Sequence, residues 1–421
     1  MNPMAALARE LTGRGHRATF VGIADIAALA EGAGFAFQPV GLRSHPAGRL
    51  AGWLGRLASV RGLWGVGGIV RDMAEMTDML CRELPDALRS LGVDGVVCDQ
   101  TEAAGGLVAD HLGLPCVSVA NALPLNREPL VPPPFTGWRY DPSAWGRERN
   151  LGGYRVSDRL MAAHRAVIAE HAARWRLGPR VGLEACVSRL AEISQTVDSF
   201  DFPRSELPAT FHHVGPLRSG SLVPGFSLPA GDGRPLAYAS LGTLQGSRAR
   251  LFRTIAKATE RGGRRLVLAH GGRLAPEDAV RLPGRPAVFG FVDQPTVLAA
   301  AEVAVLNGGL NTVLDALAAG VPAVVVPIAF EQGAIAARLT RAGAGIGVSR
   351  RFLSARRLGR AIDRVATEPP FRDAAARLRS EIAASGGVGR AAEVVEAVLA
   401  TGKPVGRDMG CPSPSTLARV A

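Results

Sequence analysis

Residues 302–327 carry the pattern that most restricts the fold of this chain: two short apolar runs separated by a glycine turn and a helix-forming segment. The runs at 302–306 and 322–327 are bounded by glycine or proline, which indicates buried strands rather than helices. Between them, residues 307–309 are Asn-Gly-Gly, and residues 310–319 predict a short helix. A strand, a helix and a second strand in this order predict a βαβ unit and therefore a parallel sheet.

The same alternation recurs along the chain and predicts an α/β protein. We predict strands at 18–22, 93–98, 115–120, 236–240, 265–269, 286–291, 302–306, 322–327 and 345–348. Residues 129–153, rich in Pro and Gly, predict a long loop, and residues 154–198 predict helix. Two further helices are expected at 370–383 and 389–400, and the last helix is expected to cross back to the first domain.

Composition supports two globular domains joined by a flexible segment. The chain has 421 residues, of which 47% are hydrophobic, enough for two cores. The Gly- and Pro-rich stretch 218–233 is the best candidate linker. We therefore predict a first domain at 1–217, a second domain at 234–401 and a disordered tail at 402–421.

The charge and cysteine content restrict the partners. The formal net charge is +12, but basic residues are dispersed and aromatic residues are only 5%, which argues against nucleic acid. An anionic membrane surface and a diphosphate ligand remain compatible with this charge. The five cysteines have no CxxC spacing, and no apolar run reaches the length of a membrane span. These features favour a cytoplasmic protein without a zinc site.

The turn and helix that follow residue 306 have the chemistry of a phosphate-binding site. Glycines let a ligand approach the backbone closely, and a helix N-terminus presents free N–H groups and a positive dipole end. Asn311 and Thr312 add donors in the first turn, and Asp315 is suited to accept hydrogen bonds from a ribose diol. Glu331 and Gln332 follow the next strand at the same edge of the sheet. The alternative is an ordinary βαβ crossover, but polar groups cluster at both strand ends.

Residues 291–332 resemble the donor-binding signature of family 1 glycosyltransferases of the GT-B fold. The resemblance implies two facing Rossmann-like domains with a donor cleft between them. It implies contacts to the base and nucleoside, then to the phosphates, the ribose and the sugar hydroxyls, in that order along the segment. The matching positions are Phe291, Val292, Gln294, Asn307, Gly309, Asn311, Thr312, Asp315, Glu331 and Gln332. Asn307 replaces the histidine usual in the family, which removes a possible positive charge but keeps an amide donor.

A second stretch, 238–246, resembles the strand and loop that contact the donor phosphates in this family. The resemblance implies phosphate contacts from Ser240, Gly242 and Thr243. The alternative is a simple strand end followed by a turn.

Nearly the whole chain further resembles the carotenoid-modifying members of the family. Landmarks outside the donor site include 78–88, 122–129 and 201–218. This resemblance implies UDP-glucose as the donor co-substrate, a carotenoid alcohol as the apolar acceptor, inversion at the anomeric carbon, and neither a metal nor another cofactor. Transfer to another apolar alcohol stays open, because the donor motif does not distinguish acceptors. A non-catalytic sugar-nucleotide-binding protein also stays open.

Asp99 directly follows the strand predicted at 93–98. The resemblance implies that this carboxylate orients a catalytic histidine, which would take the proton of the acceptor hydroxyl. The alternative is a helix N-cap. Glu102 is a weaker candidate for the same role, and His270 is a candidate to face the donor.

The catalytic histidine itself is expected upstream of Met1. In the family it ends the first strand, shortly before Asn-Pro and a helix, and this chain begins at Met1-Asn2-Pro3. None of the eight histidines lies at the corresponding strand end. We therefore expect the first strand and the base to precede Met1.

Residues 47–80 predict an amphipathic helix, with Trp53, Leu57, Val60 and Trp64 at helical spacing among arginines. Such a helix would pack on its own domain. Alternatively, it would face a membrane or an apolar acceptor, because Trp and Arg favour the lipid interface. The second interpretation predicts peripheral contact with the inner face of the membrane.

Overall fold

The structure is a computed structural model that describes residues 2–59, 62–220, 223 and 225–407, without the side chains of residues 2, 57–59 and 62–65. Within these residues the strands form three sheets, and neighbouring strands are parallel in each. Two sheets lie in the first half of the chain and one in the second half, so the molecule has a two-part α/β architecture with parallel sheets.

The first half combines a two-stranded and a four-stranded sheet. Its strands are β1 (Thr19–Gly22), β2 (Ala36–Pro39), β3 (Val96–Asp99), β4 (Cys116–Ala120), β5 (Ala191–Ser194) and β6 (Phe211–His213). Its helices are α1 (Asn2–Gly13), α2 (Ala27–Glu31), α3 (Arg49–Ser59), α4 (Gly62–Leu91), α5 (Ala103–Leu112), α6 (Ala144–Leu160) and α7 (Ala162–Arg174). In the described residues β1 pairs with β2, and the order of the other sheet is β3-β4-β5-β6. Val21 of β1 and Val96 of β3 pack against the same hydrophobic core, so the two sheets share one core.

The second half is a doubly wound sheet with helices on both faces. Its strands are β7 (Leu236–Ser240), β8 (Arg265–Ala269), β9 (Ala287–Phe289), β10 (Ala301–Leu306), β11 (Ala323–Val325) and β12 (Gly345–Gly347). Its helices are α8 (Gly242–Gln245), α9 (Ala249–Arg261), α10 (Pro276–Val280), α11 (Gln294–Ala299), α12 (Leu310–Ala318), α13 (Gln332–Arg341), α14 (Ala355–Thr367), α15 (Pro369–Ala384) and α16 (Gly387–Thr401). The strand order is β12-β11-β10-β7-β8-β9. Successive residues of β7 enter opposite cores, Tyr238 on one face and Ala239 on the other, as a strand buried on both faces requires.

Two predictions for the first half are wrong. The segment 129–153, predicted as a loop, contains the start of α6, where Ser143 caps the helix by accepting a hydrogen bond from Gly146 N. The segment 154–198, predicted as helix, contains two helices that end at Arg174, followed by β5. Strand β5 is only four residues long and forms by pairing between β4 and β6, a contact that local periodicity does not encode.

The C-terminal segment returns to the first half, as expected for the last helix. Val395 of α16 packs in one core with Leu7 and Ile193 of the first half, so residues 387–401 belong to the first half by packing. Residues 402–407, expected within a disordered tail, also pack there, because Val405 N donates to Leu190 O at 2.8 Å. Residues 408–421 lie outside the described residues.

A buried ion pair joins the two halves. Arg338 of α13 donates from Nε to Asp201 Oδ1 at 2.6 Å, and both side chains are only 1% exposed. Arg204 donates to the other oxygen of Asp201 at 2.7 Å, and the Arg338 guanidinium lies 4.2 Å from the centroid of the Phe202 ring. Burial alone would raise the pKa of Asp201, but the two guanidinium groups outweigh it and hold this pKa well below its ordinary value.

Candidate active site

The carboxyl ends of the strands meet along one edge of the second sheet. Ser240 at the end of β7 is in register with Leu306 of β10 and with Ala269 of β8. Leu306 is in register with Val325 of β11, and Ala269 with Phe289 of β9. The loops that follow these strands therefore start side by side, and they carry the predicted donor residues. Ligands of open parallel sheets bind at this edge.

The loop after β7 packs tightly on the loop after β8. Gly242 has φ of +67°, and its N–H donates to Ser240 Oγ at 3.2 Å. A Cβ added to Gly271 would lie 2.9 Å from Thr243 Cα, so the two loops touch through their backbones. His270 is turned into its own loop, because its Nδ1 accepts a hydrogen bond from Leu274 N at 3.0 Å.

The turn between β10 and α12 is built around Asn307. Asn307 is buried, and its Oδ1 accepts a hydrogen bond from Gly309 N at 3.2 Å. Gly309 is the N-cap residue of α12 and has no side chain to cover the first turn, which carries Asn311 and Thr312. Because the helix N-terminus is open and its dipole end is positive, it suits a diphosphate.

The same turn contacts the other end of the predicted signature. Gly308 has φ of +89°, and a Cβ at this position would lie 3.0 Å from Gln332 O and 2.8 Å from Val325 Cγ1. Only glycine fits this backbone conformation and this close approach. The structure thus brings the turn after β10 and the start of α13 into direct contact.

Asp315 lies at the centre of a chain of polar groups. Its Oδ1 accepts a hydrogen bond from Arg218 Nε at 2.7 Å, and its Oδ2 accepts one from Gln294 Nε2 at 2.8 Å. Gln294 Oε1 in turn accepts from the Tyr238 hydroxyl at 3.2 Å. Burial raises the pKa of Asp315, and the Arg218 guanidinium opposes part of that rise.

Phe291 presents an aromatic face near these polar groups. Its side chain is exposed, with a relative accessibility of 60%, whereas the neighbouring Val292 is buried. A Cβ built on Gly272 would lie 3.7 Å from Phe291 Cε2, so the ring lies over the loop that follows β8. An exposed ring on a packed loop is suited to stack against a nucleobase.

Glu331 and Gln332 begin α13 at the same edge. Gln332 Oε1 accepts hydrogen bonds from Ile328 N at 2.8 Å and from Ala329 N at 3.0 Å, so its side chain orders the preceding loop. Phe330, between this loop and Glu331, has φ of +54°. Burial raises the pKa of Glu331, and a backbone hydrogen bond opposes part of the rise.

Asp99 lies at the carboxyl end of the first half's sheet. Its Oδ2 accepts from Asn121 Nδ2 at 2.7 Å, and its Oδ1 accepts from both the backbone N and the hydroxyl of Thr101. The alternative that Asp99 is the helix N-cap is wrong, because Glu102 caps α5 by accepting from Ala104 N at 3.1 Å. In the described residues no histidine hydrogen-bonds to Asp99.

Glu102 faces inward rather than toward a ligand. Its Oε1 also accepts from the Thr77 hydroxyl at 2.7 Å, and Thr77 Oγ1 lies 2.9 Å from His164 Nε2. Burial raises the pKa of Glu102 to about 7. His164 is buried, and its burial lowers the pKa of the imidazole. These groups form a polar cluster inside the first half.

The first half closes the other side of the cleft. A Cβ on Gly333, the residue after Gln332, would lie 3.0 Å from Gly137 Cα, so the loop before α6 touches the start of α13. Helix α3 contacts α8 across the two halves, and Trp53 of α3 is half-buried. The side chains of Leu57 and Trp64, and residue Val60, lie outside the described residues.

Two negative findings apply to the described part of the chain. No group of three or more His, Cys, Asp or Glu side chains is arranged to hold a metal ion. None of the helices described is both long and apolar enough to cross a bilayer.

Sequence reasoning missed Arg218, Gln195 and Tyr238 as members of this site. Arg218 was assigned to the linker, and Gln195 lies in a segment predicted as helix. Their roles depend on contacts between residues distant in sequence: 23 positions for Gln195 and Arg218, 56 for Tyr238 and Gln294, and 97 for Arg218 and Asp315. The sequence signal that could have indicated Arg218 was its position directly after an apolar segment at the domain boundary.

Comparison with solved structures identifies the class of protein. The chain aligns with the calicheamicin glycosyltransferase CalG4 with a TM-score of 0.75 and 24% identity, covering 96% of each chain. It aligns with the glycotransferase of kitacinnamycin with a TM-score of 0.74 and 21% identity, covering 94% of this chain and 95% of the other. These likenesses establish the fold, which is that of GT-B glycosyltransferases.

Sequence comparison is more specific. The family described as "Erythromycin biosynthesis protein CIII-like, C-terminal domain" matches residues 267–400. A zeaxanthin glucosyltransferase of Pantoea ananas is 43% identical over 404 residues, covering 95% of this chain and 93% of the relative. A second one, of Pseudescherichia vulneris, is 39% identical and covers 95% of both chains. The chain therefore belongs to the zeaxanthin glucosyltransferase family, and it is an enzyme of the glycosyltransferase class.

Proposed function

We propose that this protein transfers glucose from UDP-glucose to a hydroxyl group of zeaxanthin with inversion at the anomeric carbon. The assignment of the acceptor rests on the sequence similarity to two zeaxanthin glucosyltransferases over nearly the whole chain. It includes the first half, which contributes the acceptor side of the cleft. The second half supports a nucleotide-sugar donor through the arrangement of its loops.

The donor follows the order of groups along the cleft. The uracil ring stacks on Phe291, and the ribose diol donates hydrogen bonds to Asp315. The diphosphate lies against the N-terminus of α12, near Ser240 and Thr243. The glucose hydroxyls reach Glu331 and Gln332. Gln332 Oε1 is already used by two backbone N–H groups, so its Nε2 is the group free to donate to the sugar.

Departure of UDP is the step that this site assists most directly. The acceptor oxygen attacks the anomeric carbon from the face opposite the diphosphate, the bond to the phosphate oxygen breaks, and the electron pair leaves with UDP. Negative charge then grows on the diphosphate. Amide N–H groups of a helix N-terminus are oriented before the reaction, so they stabilise this charge without reorganisation. This arrangement replaces a metal ion in the proposal.

The acceptor hydroxyl needs a base, because an alcohol is a poor nucleophile until its proton is removed. We propose that Asp99, which Thr101 and Asn121 hold at the carboxyl end of β3, orients this base. The test is Asp99→Asn: kcat for glucosylation should fall by about 10²- to 10⁴-fold, while the Kd for UDP stays unchanged. An unchanged kcat would contradict this role.

The apolar acceptor suggests contact with a membrane. Helix α3 contacts α8, which carries Gly242 and Thr243, so this helix is placed to guide a carotenoid from the bilayer to the cleft. We propose reversible membrane contact through residues 47–70. Flotation with anionic liposomes tests it: the protein should float, and Trp53→Ala combined with Trp64→Ala should reduce the floating fraction. If the protein does not float, or if the double substitution leaves the floating fraction unchanged, the proposed membrane contact through residues 47–70 is contradicted.

The central experiment is incubation with UDP-glucose and zeaxanthin, followed by mass analysis of the pigment. We expect a mass gain of one hexose for each hydroxyl modified. Cholesterol and a macrolide serve as competing apolar alcohols in the same assay. Glucosylation of these alcohols without glucosylation of zeaxanthin would contradict the acceptor assignment.

A further inference from the structure

Arg218 connects the donor signature to the first half of the molecule. It follows the buried residues Val214 and Leu217 at the end of the first domain's sequence, and it begins the segment that leads to β7. Its Nε donates to Asp315 Oδ1 at 2.7 Å. Its Nη2 donates to the backbone O of Asn311 at 3.1 Å and to its Oδ1 at 3.2 Å. One arginine therefore contacts both Asp315, the residue proposed to bind the ribose, and the first turn of α12.

The other edge of the guanidinium is anchored in the first half. Nη1 donates to Gln195 Oε1 at 3.0 Å and to Leu217 O at 2.9 Å. Gln195 follows β5, is 0% exposed, and also accepts from Leu217 N at 3.3 Å. The planar guanidinium has five N–H donors in a fixed geometry, and each has an acceptor here. Arg218 is consequently held rigidly, and a lysine could not reproduce this set of bonds.

The contacts leave room for a ligand on Asp315. A carboxylate has about four acceptor sites, and Arg218 and Gln294 occupy one on each oxygen. The ribose diol can donate to the remaining sites while the carboxylate stays fixed between its two partners. Gln195 is fully buried, and its hydrogen bond with Arg218 links it to Asp315 and Asn311.

We propose that Arg218 is a positioning residue that orients Asp315 and Asn311 for the nucleoside diphosphate and connects them to the acceptor domain through Gln195. The inference rests on the donor function proposed above. Its consequence is that a buried residue of the acceptor domain controls the affinity of a ligand bound to the other domain.

The test is a double-mutant cycle on nucleotide binding, measured by calorimetry with UDP and with dTDP as probes. Arg218→Met should raise the Kd for UDP by about 10- to 100-fold, because hydrogen bonds to charged groups are lost. Gln195→Leu should raise it by about 3- to 10-fold. The double variant should bind no more weakly than Arg218→Met alone, since Gln195 acts through Arg218. Arg218→Lys should recover only part of the affinity.

Kinetics separate positioning from general damage. For Gln195→Leu we expect a higher KM for UDP-glucose with kcat nearly unchanged, because donor affinity falls without loss of a reacting group. Arg264→Met is the control: Arg264, like Arg218, is held by several hydrogen bonds, and its carboxylate partners Glu302 and Asp363 are not donor residues. It should lower the melting temperature and leave the Kd for UDP unchanged.

Three outcomes would overturn the inference. Additive effects of the two substitutions, or an unchanged Kd in Arg218→Met, would overturn it alone while the unaltered protein still binds UDP. If the unaltered protein binds dTDP and not UDP, only the assigned base is wrong. The same double-mutant cycle measured with dTDP then tests the inference about Arg218. Binding of neither nucleotide by the unaltered protein would overturn the donor assignment and this inference together.

Discussion

Asp315 is held under opposing electrostatic influences. Burial favours the protonated carboxyl, whereas the Arg218 guanidinium at 2.7 Å favours the carboxylate. The ionised form is the better acceptor for a ribose diol, since it offers only acceptor sites. The residue thus combines a partly buried position with a fixed cationic neighbour, an arrangement common at ligand-binding acids.

Asp315→Asn is expected to weaken UDP binding by about 1–3 kcal/mol, because the amide cannot accept all the hydrogen bonds of the carboxylate. Calorimetry with UDP measures the change. Asp363→Asn is the control, since Asp363 pairs with Arg264 and contacts no predicted donor residue. Equal UDP affinity in Asp315→Asn and in the unaltered protein would reject the ribose assignment.

Glu331 is the second residue whose burial has a measurable consequence. Its pKa is raised, so the folded protein binds this proton more tightly than the unfolded chain does. Stability should therefore fall as pH rises from the unfolded pKa of about 4.3 through the higher folded value. Glu331→Gln should melt at a higher temperature than the unaltered protein at pH 7, and the difference should disappear below pH of about 4.

The same substitution, Glu331→Gln, should raise the KM for UDP-glucose and leave the Kd of UDP unchanged, because Glu331 is the proposed contact to the sugar. A lower melting temperature at pH 7, or equal losses in sugar and UDP affinity, would contradict this assignment.

At the scale of elements, the turn between β10 and α12 determines whether the two ends of the donor signature meet. Gly308 has a left-handed backbone, and its Cα faces Gln332 and Val325 without space for a side chain. The turn thus places the N-terminus of α12 against the start of α13. The sequence motif is contiguous, but its geometry depends on this one backbone contact.

Gly308→Ala should destabilise the second half and raise the KM for UDP-glucose. The left-handed conformation alone costs a non-glycine residue about 1–2 kcal/mol, and the added Cβ must displace Gln332. Gly113→Ala is the matched control, because Gly113 also has positive φ but nothing lies within 4 Å of its added Cβ. Gly113→Ala should lower the free energy of unfolding by the cost of the left-handed backbone alone, and it should leave the KM for UDP-glucose unchanged. Similar donor kinetics for the two variants would show that the close approach at Gly308 has no functional role.

At the scale of the whole molecule, two separate devices join the halves. Helix α16 follows the second half in sequence but completes a core of the first half. The Arg338–Asp201 pair then connects α13 to the first half, and the proposed sugar ligands Glu331 and Gln332 lie at the start of that helix. Of the two contacts, the ion pair involves the element that follows Glu331, so domain packing and the proposed sugar site share α13.

Arg338→Met should lower the free energy of unfolding by about 3 kcal/mol, the lower end of the cost of removing one partner of a buried pair, because Arg204 remains beside Asp201. The pKa of Asp201 is held low, so this contribution should be complete above the unfolded pKa of about 3.9 and shrink as pH falls through the folded value. Urea unfolding at several pH values measures it. Arg364→Met, which removes an exposed pair with Glu368, should cost no more than about 0.5 kcal/mol. Equal losses in the two variants would contradict the role assigned to the buried pair.

The sequence by itself determined the parallel α/β class, most strands of the second half and the contiguous donor segment. Strand, turn and helix signals are local there: apolar runs bounded by glycine or proline, and polar residues directly after strand ends. The short strands β2 and β5 were not predicted, because their stability comes from pairing with neighbours rather than from a pattern of their own.

Only the tertiary structure decided which distant residues complete the site and how the halves are joined. Arg218 meets Asp315, Arg338 meets Asp201, and Gly137 meets Gly333 across long separations in the chain. Such contacts depend on the relative placement of two packed domains, and a local window of sequence contains neither partner's position. Charge, periodicity and turn chemistry therefore predict the elements, whereas packing between the elements decides which side chains hold the donor residues in place.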